Sequence, residues 1–229
     1  MMTHTEDRTV LITGGATRIG KHIALGLAKD GWNVAVHYNE SESEAVDLLQ
    51  SLKNMGVKSV AVKANLAHED STINLIATIR KELGNIHGLV NNASMFSFDR
   101  PEQFDRSNLE KHMAVNLYAP LRLTSEFAKQ IPQNELGCVI NLLDQKTHNL
   151  NSDFFSYTLS KVALETATKL FASALGPKLR VCGLAPGITL PSGEQTDSGF
   201  ETAHKLAPLG KSSVPEDIVS AVKYLLNAN

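Results

Sequence analysis

The sequence predicts one α/β domain in which a doubly wound parallel sheet is covered by helices on both faces. Six short apolar runs alternate with six longer amphipathic segments along the chain. The short runs are apolar throughout, which is typical of parallel strands buried on both sides. Each connection between them is long enough for a crossover helix. With 229 residues, 42% hydrophobic and 20% charged, the chain can bury one core over residues 1–229.

These patterns place six strands and six helices in order. Strands are expected in TVLIT at 9–13, NVAVHY at 33–38, VKSVAVK at 57–63, IHGLVN at 86–91, GCVINLL at 137–143 and LRVCGLA at 179–185. Helices are expected over residues 18–29, 41–54, 69–83, 105–130 and 155–175, and a last one begins at Pro215, which suits a first helical turn. Pro120 should kink the fourth helix. Residues 189–207, which begin TLPSGEQTDSG, are poor in packing residues and are expected to form a flexible substrate loop.

Charge and composition limit the kinds of partner that the chain can bind. A formal charge of -2 and a pI near 6.4, with both signs interspersed, predict no nucleic-acid or membrane surface, so a small-molecule partner is favoured. No apolar run approaches the roughly 18 residues of a membrane span, and the start lacks the apolar region of a signal peptide. Cys138 and Cys182 lie in predicted strands as reduced thiols, which suits a cytoplasmic protein. The eight histidines lack metal-binding spacing, so no metal is predicted.

The segment VLITGGATRIGKHI carries the first chemical signal. Gly14 and Gly20 frame a turn between an apolar strand and a helix, and a second strand follows the helix. In that context, backbone amides at a helix N-terminus can approach a diphosphate, so Gly14, Ile19 and Gly20 are predicted to bind a nucleotide. Glycine also serves ordinary tight turns, which is the alternative for the pair taken alone.

The end of the second strand indicates which dinucleotide binds. An NAD site typically ends this strand with an acid that holds the ribose hydroxyls, whereas here it ends with His37, Tyr38 and Asn39. Arg18 lies inside the glycine turn. A cation without an acid favours the 2′-phosphate of NADPH, although Arg18 could instead be a solvated cation at a helix start.

At this point the chain resembles the short-chain dehydrogenase/reductase family over essentially its whole length. The matching motifs are TGGATRIG, where Arg18 replaces a usual glycine, then NNAS at 91–94, VNL with Asn116, YTLSK with Tyr157 and Lys161, and PGIT at 186–189. The resemblance implies an NADPH or NADP cofactor and a homotetramer. Further implied cofactor contacts are Asn65, Leu66, Asn91, Ala93, Ser94, Lys161, Pro186, Gly187 and Thr189. Asn65 stands where the family usually has an aspartate that reads the adenine, and its amide oxygen can still accept a hydrogen bond.

The catalytic residues follow from a tyrosine and a lysine four residues apart on one helical face. A free tyrosine has a pKa near 10, and a nearby ammonium would lower it. The resemblance implies that Lys161 also holds the nicotinamide ribose and that Asn116 anchors a water that relays protons to Lys161. A half-buried tyrosine, a surface lysine and a capping asparagine are the ordinary alternatives for these three residues.

Asp144 departs from the common family pattern, because the residue 13 positions before the tyrosine is usually a serine that holds a substrate carbonyl. An ionised carboxylate cannot donate a hydrogen bond to a carbonyl oxygen, but it suits a nitrogen heterocycle. Pteridine reductases within the family carry an aspartate here, an arginine in the glycine turn and a phenylalanine two residues after NNAS, which is Phe96 in this chain. The resemblance implies a pterin ring between the nicotinamide and Phe96, with Ser94 nearby, and proton delivery by Tyr157 with Asp144. Alternatively, Asp144 caps a turn and Phe96 belongs to the core.

Three functions are therefore weighed. The first is an NADPH-dependent reductase of a dihydropterin or dihydrofolate. The second is a carbonyl or 3-oxoacyl reductase, against which Asp144 and Phe96 argue. The third is an NADP(H)-binding sensor without turnover, against which Tyr157 and Lys161 argue.

Overall fold

The computed structural model describes residues 8–191, 200–202, 205, 207 and 209–228. Within them, six parallel strands form one sheet in the order β3-β2-β1-β4-β5-β6. The strands are β1 Thr9–Ile12, β2 Asn33–Tyr38, β3 Ser59–Lys63, β4 Gly88–Asn91, β5 Gly137–Leu142 and β6 Leu179–Leu184. Each falls inside a predicted strand segment, and the Rossmann-like, doubly wound parallel sheet is confirmed.

Seven helices are named here. They are α1 Arg18–Lys29, α2 Glu42–Asn54, α3 Glu69–Leu83, α4 Arg106–Met113, α5 Ala119–Gln130, α6 Phe155–Leu175 and α7 Pro215–Asn227. The predicted helix over 105–130 is present as a continuous helical stretch from Arg106 to Gln130, but a π-helical turn at Ala114–Tyr118 divides it into α4 and α5. Pro120 has no N–H to donate to the carbonyl four residues earlier, so the regular ladder is broken there. Asp105 precedes α4 as its N-cap, with its carboxylate accepting from the amides of Ser107 and Asn108.

The sheet separates two apolar layers, because successive strand side chains point to opposite faces. Val10 and Ile12 of β1 pack with α1, α2 and α7, whereas Leu11 packs on the other face with α3 and α5. The strand order reverses between β1 and β4, and a ligand of such a sheet binds outside the carboxyl ends at this reversal.

The opposite end of the sheet is closed by packed side chains. The Trp32 indole is 2% exposed, and the guanidinium carbon of Arg8 lies 4.2 Å from its ring centroid. Arg8 also donates to Asn227 Oδ1 over 2.8 Å, which joins β1 to the end of α7.

The structure bears on several smaller expectations. Cys138 is buried on β5 and Cys182 is half-buried on β6, and both thiols are free. In the described part of the chain, no helix is long and apolar enough to cross a membrane. The same residues contain no group of three or more side chains able to hold a metal ion. Most of the predicted loop at 189–207 lies outside the described residues.

Candidate active site

The glycine turn, residues 13–20, connects β1 to α1. Gly14 has a φ of 59°, in the left-handed region that favours glycine. A Cβ on Gly20 would lie 2.2 Å from the Gly14 carbonyl oxygen. Only glycine at position 20 therefore lets the first turn of α1 lie directly against the backbone of the glycine turn. The result is a tight stretch of backbone at a helix N-terminus, which is the geometry that accepts a diphosphate.

Neighbouring side chains hold this turn in place. The Asn92 amide donates to the carbonyls of Thr13 and Gly14 over 2.9 and 3.0 Å. The His37 ring accepts from the Gly14 amide at Nδ1 over 3.1 Å, and its Nε2 lies 3.0 Å from the Ala64 carbonyl. Nδ1 must therefore be unprotonated, and Nε2 carries the hydrogen and donates it to Ala64. Burial lowers the pKa of His37, although its hydrogen bond to Ala64 acts in the opposite direction.

His37 thus has a different place from the one predicted. Its side chain is 2% exposed and both ring nitrogens are engaged, so it supports the glycine turn instead of facing a ligand. Tyr38 is half-buried and packs against the core, and Asn39 is exposed just after β2. The exposed Arg18 guanidinium donates to the Pro191 carbonyl over 2.7 Å. Arg18 and Asn39 are the exposed polar side chains of this predicted group.

The other predicted cofactor residues also follow strand ends or the glycine turn. Asn65 is exposed after β3 with its side-chain oxygen accepting from the Ala67 amide, and Leu66 beside it is buried. Asn91 is 2% exposed and donates to the Asn141 side chain on β5 over 2.8 Å. Asn91 therefore joins β4 to β5, and its side chain does not face a ligand. Of the remaining predicted residues, Ile19 packs against the hydrophobic core. Ala93 lies beside Gly14 of the glycine turn.

The PGIT segment after β6 lies beside the loop after β5. The Pro186 carbonyl accepts from the Gln145 amide over 3.0 Å, which ties the two loops together. A Cβ on Gly187 would lie 2.8 Å from the Ser212 hydroxyl oxygen. The Thr189 side chain is 6% exposed and donates to the Gly187 carbonyl over 2.9 Å. These contacts hold the segment close to Asp144.

Tyr157, Asp144 and Lys161 meet at the carboxyl end of β5. The Tyr157 hydroxyl donates to Asp144 Oδ2 over 2.6 Å. Lys161 is 3% exposed, donates to the Leu142 carbonyl over 2.7 Å and has its Nζ 5.7 Å from the Tyr157 ring centroid. The other carboxylate oxygen of Asp144 accepts from the Lys146 amide over 2.8 Å, at the start of the 3₁₀ turn Gln145–Thr147. Asp144 thus makes both contacts considered from sequence, the turn cap and the bond to tyrosine.

The electrostatics of this group differ from the expectation. Burial raises the pKa of Tyr157 above its ordinary value, and the Asp144 charge and hydrogen bond act in the same direction. Burial lowers the pKa of Lys161 to about 8, although the Asp144 charge acts in the opposite direction. The prediction that Lys161 lowers the pKa of Tyr157 is therefore wrong for this structure, because burial and Asp144 dominate. Tyr157 is therefore a protonated phenol in this structure.

Asn116 lies in the π-helical turn, with its side chain fully buried. Its amide nitrogen donates to the Met95 carbonyl and the Ser160 hydroxyl over 2.9 and 3.0 Å. Its oxygen accepts from the Met95 amide over 2.7 Å and from the Ser94 hydroxyl over 3.3 Å. All four hydrogen-bonding positions of the side chain are therefore occupied by protein atoms. The predicted water relay to Lys161 would have to use the backbone carbonyl of Asn116.

An aromatic cluster of Phe96, Phe98, Phe154 and Tyr157 lies beside this group. Phe96 and Phe154 stack with their centroids 4.2 Å apart and their planes at 17°. Phe96 also meets the Tyr157 ring edge-on at 4.7 Å, and Phe98 meets Phe154 edge-on at 5.3 Å. Phe96 is 40% exposed, so the alternative that it belongs to the core is wrong.

Phe154 is a residue of this cluster that sequence reasoning missed. It precedes α6 with a φ of 57°, which is rare for a bulky side chain. Lys146 Nζ lies 5.7 Å from its ring centroid, so a cation also borders the aromatic cluster. The available signal was the aromatic pair at 154 and 155, three and two residues before the tyrosine.

Comparison with known proteins identifies the class. The sequence profile described as short chain dehydrogenase matches residues 8–200. The chain therefore belongs to the short-chain dehydrogenase family, and it is an oxidoreductase of that family. The family resemblance predicted from the motifs is confirmed.

Individual relatives differ in their named substrates. An uncharacterised oxidoreductase of Methylorubrum extorquens is 30% identical to this chain over 230 residues. The match covers 98% of this chain and 92% of the Methylorubrum protein. The 3-oxoacyl-acyl-carrier-protein reductase FabG of Staphylococcus epidermidis is 27% identical over 222 residues, covering 96% and 91%. The crystal structure of FolM alternative dihydrofolate reductase 1 from Brucella canis, complexed with NADP, is 38% identical with a TM-score of 0.93, covering 96% of this chain and 88% of that chain.

Proposed function

We propose that this oxidoreductase uses NADPH to reduce a pteridine-type substrate, either a dihydropterin or a dihydrofolate. The observation that carries the proposal is the hydrogen bond from the Tyr157 hydroxyl to Asp144, at 2.6 Å. It puts a protonated phenol and a carboxylate at one point, where most relatives of the chain are expected to offer a phenol and a serine. The 38% identity to a protein named as a dihydrofolate reductase supports this choice.

The residues around the glycine turn fit NADPH. A Cβ would fill the space at Gly20, so backbone can approach a diphosphate at the start of α1. Arg18 is exposed at the same place, and its guanidinium has five donors, of which the Pro191 carbonyl takes one. β2 ends with His37 and Tyr38 and is followed directly by Asn39, so the acid that typically ends this strand in an NAD site is not at these positions. Arg18 and Asn39 are the side chains that would receive the 2′-phosphate.

The chemistry divides between cofactor and protein. When bound, NADPH supplies a hydride to a ring carbon of the substrate. Asp144 accepts hydrogen bonds from N–H groups of the heterocycle, which a ketone lacks. Tyr157 is protonated at rest and donates that proton to the adjacent ring nitrogen, although its raised pKa makes it a weak acid, so the step depends on a charge that stabilises the phenolate. The Lys161 ammonium, 5.7 Å from the ring of Tyr157, stabilises the phenolate that remains.

The aromatic cluster favours a flat substrate. Phe154 stacks on one face of Phe96 at 4.2 Å, and the Phe96 ring is still 40% exposed, which leaves surface on which a planar heterocycle can stack. Phe96 also touches Tyr157, which keeps a stacked ring close to the proton donor. Ser94 is exposed two residues before Phe96 and adds a hydroxyl at the same edge. We assign Ser94, Phe96, Asp144 and Tyr157 as substrate contacts.

The second candidate is a carbonyl or 3-oxoacyl reductase, as the relative from Staphylococcus epidermidis is named. Tyr157 and Lys161 alone would serve either reaction. Asp144 separates them, because its carboxylate cannot donate to a carbonyl oxygen unless it is protonated. A sensor without turnover is disfavoured by the phenol placed as an acid.

The deciding experiment offers NADPH and separate substrates to the purified protein, and follows the absorbance of the reduced nicotinamide. Dihydrobiopterin, dihydromonapterin and dihydrofolate are compared with an acetoacetyl thioester and a simple diketone. We expect turnover of the pterins alone. Turnover confined to the thioester or diketone would replace the proposal with the second candidate, and no turnover with cofactor bound would favour the sensor.

A binding test supports the rate measurement. With saturating NADPH, a methotrexate-type antifolate should raise the melting temperature, because a ligand that binds only the folded state stabilises it. Absence of a shift would count against a pteridine site.

On family resemblance we also propose a cytoplasmic homotetramer. Size-exclusion chromatography with light scattering would test the number of subunits.

A further inference from the structure

The segment that follows β4, residues 95–99, is named here the β4 loop, and its side chains alternate in exposure, with the odd-numbered ones half-buried and the even-numbered ones exposed. Met95 is held by the Asn116 side chain at both its amide and its carbonyl. Ser97 is held by Asn108 and His112, through its hydroxyl and its amide. The even-numbered Phe96 and Phe98 point to the other side, into the aromatic cluster. The anchored residues thus fix where the Phe96 ring lies.

Asp99 is the last anchor of the β4 loop and contacts the helix that carries Tyr157. Its two carboxylate oxygens lie 3.0 and 3.2 Å from the Ser156 amide, and Oδ2 also accepts from the Ser156 hydroxyl. Its backbone carbonyl accepts from the Phe155 amide over 3.3 Å. Asn108 donates to Asp99 Oδ2 over 3.0 Å. Asp99 therefore caps the first two amides of α6 and ties them to α4.

This cap comes from a distant segment because the local one is missing. The residue before α6 is Phe154, which has no side-chain oxygen and makes no capping hydrogen bond. Exposed amides at a helix start need acceptors, and a negative charge there is favoured by the helix dipole. Ser156 is fully buried, so its amide cannot be satisfied by open solvent. Asp99 meets both needs from 57 positions away in the sequence.

We propose that Asp99 is a positioning residue that sets Tyr157 against Phe96. Asp99 lies three residues after Phe96, and its partner Ser156 directly precedes Tyr157. The hydrogen bonds from Ser156 to the Asp99 carboxylate thus connect the loop that carries Phe96 to the helix that carries Tyr157. A second bridge beside it, from Arg100 to Asp153 at 2.9 Å, joins the same two segments at the surface. The inference rests on the proposed role of Tyr157 as the proton donor.

The test compares Asp99→Ala with Asp105→Ala. Asp105 also caps a helix by accepting from two backbone amides, but it caps α4 and touches neither Ser156 nor Tyr157. Both variants lose a helix cap and should have a lower melting temperature, with the larger decrease in Asp99→Ala because Asp99 also accepts from the Ser156 hydroxyl and from Asn108. Only Asp99→Ala removes the connection to the catalytic helix. We expect its kcat to fall about 100-fold, because a displacement of about 1 Å at a reacting group has that effect.

Three further readouts separate positioning from general damage. The Kd for NADPH, measured by calorimetry, should stay within about twofold of wild type in both variants. Hydrogen exchange at the Ser156 amide should accelerate in Asp99→Ala and not in Asp105→Ala. Asp99→Asn should keep part of the rate, because its oxygen still accepts from the Ser156 amide while its NH₂ opposes the donor on Asn108. The Asp99→Asn variant also decides the matter if Asp99→Ala does not fold.

The outcomes distinguish this inference from the proposed function. Equal kcat in Asp99→Ala, Asp99→Asn and wild type would overturn the positioning role. Equal Ser156 exchange in Asp99→Ala and wild type would overturn it as well. Tyr157→Phe, measured in parallel with whichever substrate is reduced, reports on the proposed function separately. If Tyr157→Phe is fully active, Tyr157 is not the proton donor and the proposed function fails. If Tyr157→Phe is inactive while Asp99→Ala is fully active, only the positioning role of Asp99 fails.

Discussion

The glycine turn and the aromatic cluster lie at the same edge of the sheet, yet they are stabilised differently. The glycine turn is fixed by backbone geometry, neutral amides and the buried His37 ring. The aromatic cluster is fixed by stacked rings and by two carboxylates, Asp99 and Asp144, each of which bridges separate segments. The first region offers backbone to a ligand, and the second offers side chains.

This difference has a functional consequence. A phosphate-binding backbone turn is a requirement of dinucleotide binding and serves any substrate. The carboxylates and rings of the second region act on the substrate alone. Changes in the glycine turn should therefore alter NADPH affinity, whereas changes around Asp144 should alter turnover and substrate choice. Four predictions test this separation, beginning with the largest effect.

Tyr157→Phe removes the phenol oxygen and leaves the ring against Phe96. We expect kcat to fall by about 10³-fold, because general acid catalysis contributes about 10² to 10⁴. The Kd for NADPH, measured by calorimetry, should not change. A rate near that of wild type would show that another group delivers the proton.

Asp144→Ser restores the residue that most family members are expected to carry. Pterin reduction should fall about 100-fold, since the carboxylate that accepts from the heterocycle is lost and its hydrogen bond with Tyr157 weakens. NADPH affinity should stay the same, and reduction of a simple diketone should rise. Asp144→Asn is the control that keeps shape and removes charge. Unchanged pterin turnover would show that Asp144 serves only as the cap of the 3₁₀ turn.

Gly20→Ala acts on the glycine turn. The added Cβ would lie 2.2 Å from the Gly14 oxygen, and relief of such a clash costs about 1 to 3 kcal/mol. We expect the Kd for NADPH to rise about tenfold to 100-fold, with kcat at saturating NADPH preserved. Gly31→Ala is the matched control, because it has a φ of 82° and no atom within 4 Å of the added carbon. It should lower stability and leave the Kd unchanged; an equal rise in Kd would show that the effect of Gly20→Ala is not local.

The pH dependence of the reaction should show an alkaline limb at Lys161. Burial lowers the pKa of its ammonium to about 8, so the charged form dominates below that pH and disappears above it. Because the charge stabilises the phenolate of Tyr157, kcat should be steady below pH 8 and fall about tenfold per unit well above it. The Tyr157 pKa is raised, so the phenol does not lose its proton in this range. Lys161→Arg should be slower but lack the limb, since a guanidinium keeps its charge.

The predictability of the two regions also differs. Helices α1, α3 and α6 begin and end where the sequence pattern placed them, and the glycine turn follows from neighbouring residues. Local spacing was enough there because the interacting groups are close in the chain. It was not enough for His37, whose residue type and strand position gave no sign that its ring lies beneath Gly14.

The second region depended on contacts between distant segments. Tyr157, Lys161, Asp144 and Phe96 were found through motif spacing, and the structure brings them together. Asp99 and Phe154 were missed, because their roles exist only once the loop after β4 lies against the start of α6. The raised pKa of Tyr157 was missed for the same reason, since burial is a tertiary property.

Trp32 gives this molecule a built-in optical reporter. It is the only tryptophan in the sequence, and its buried ring lies under Arg8 at the amino end of β2. Indole emission excited selectively in the ultraviolet therefore comes from one known place, on the side of the sheet away from Asp144 and Phe96. Its emission spectrum can follow the unfolding of the amino end of the sheet during heating, without an added label. Substitutions at Asp99, Asp144 or Tyr157 leave this chromophore and its surroundings untouched, so spectra of the variants can be compared directly.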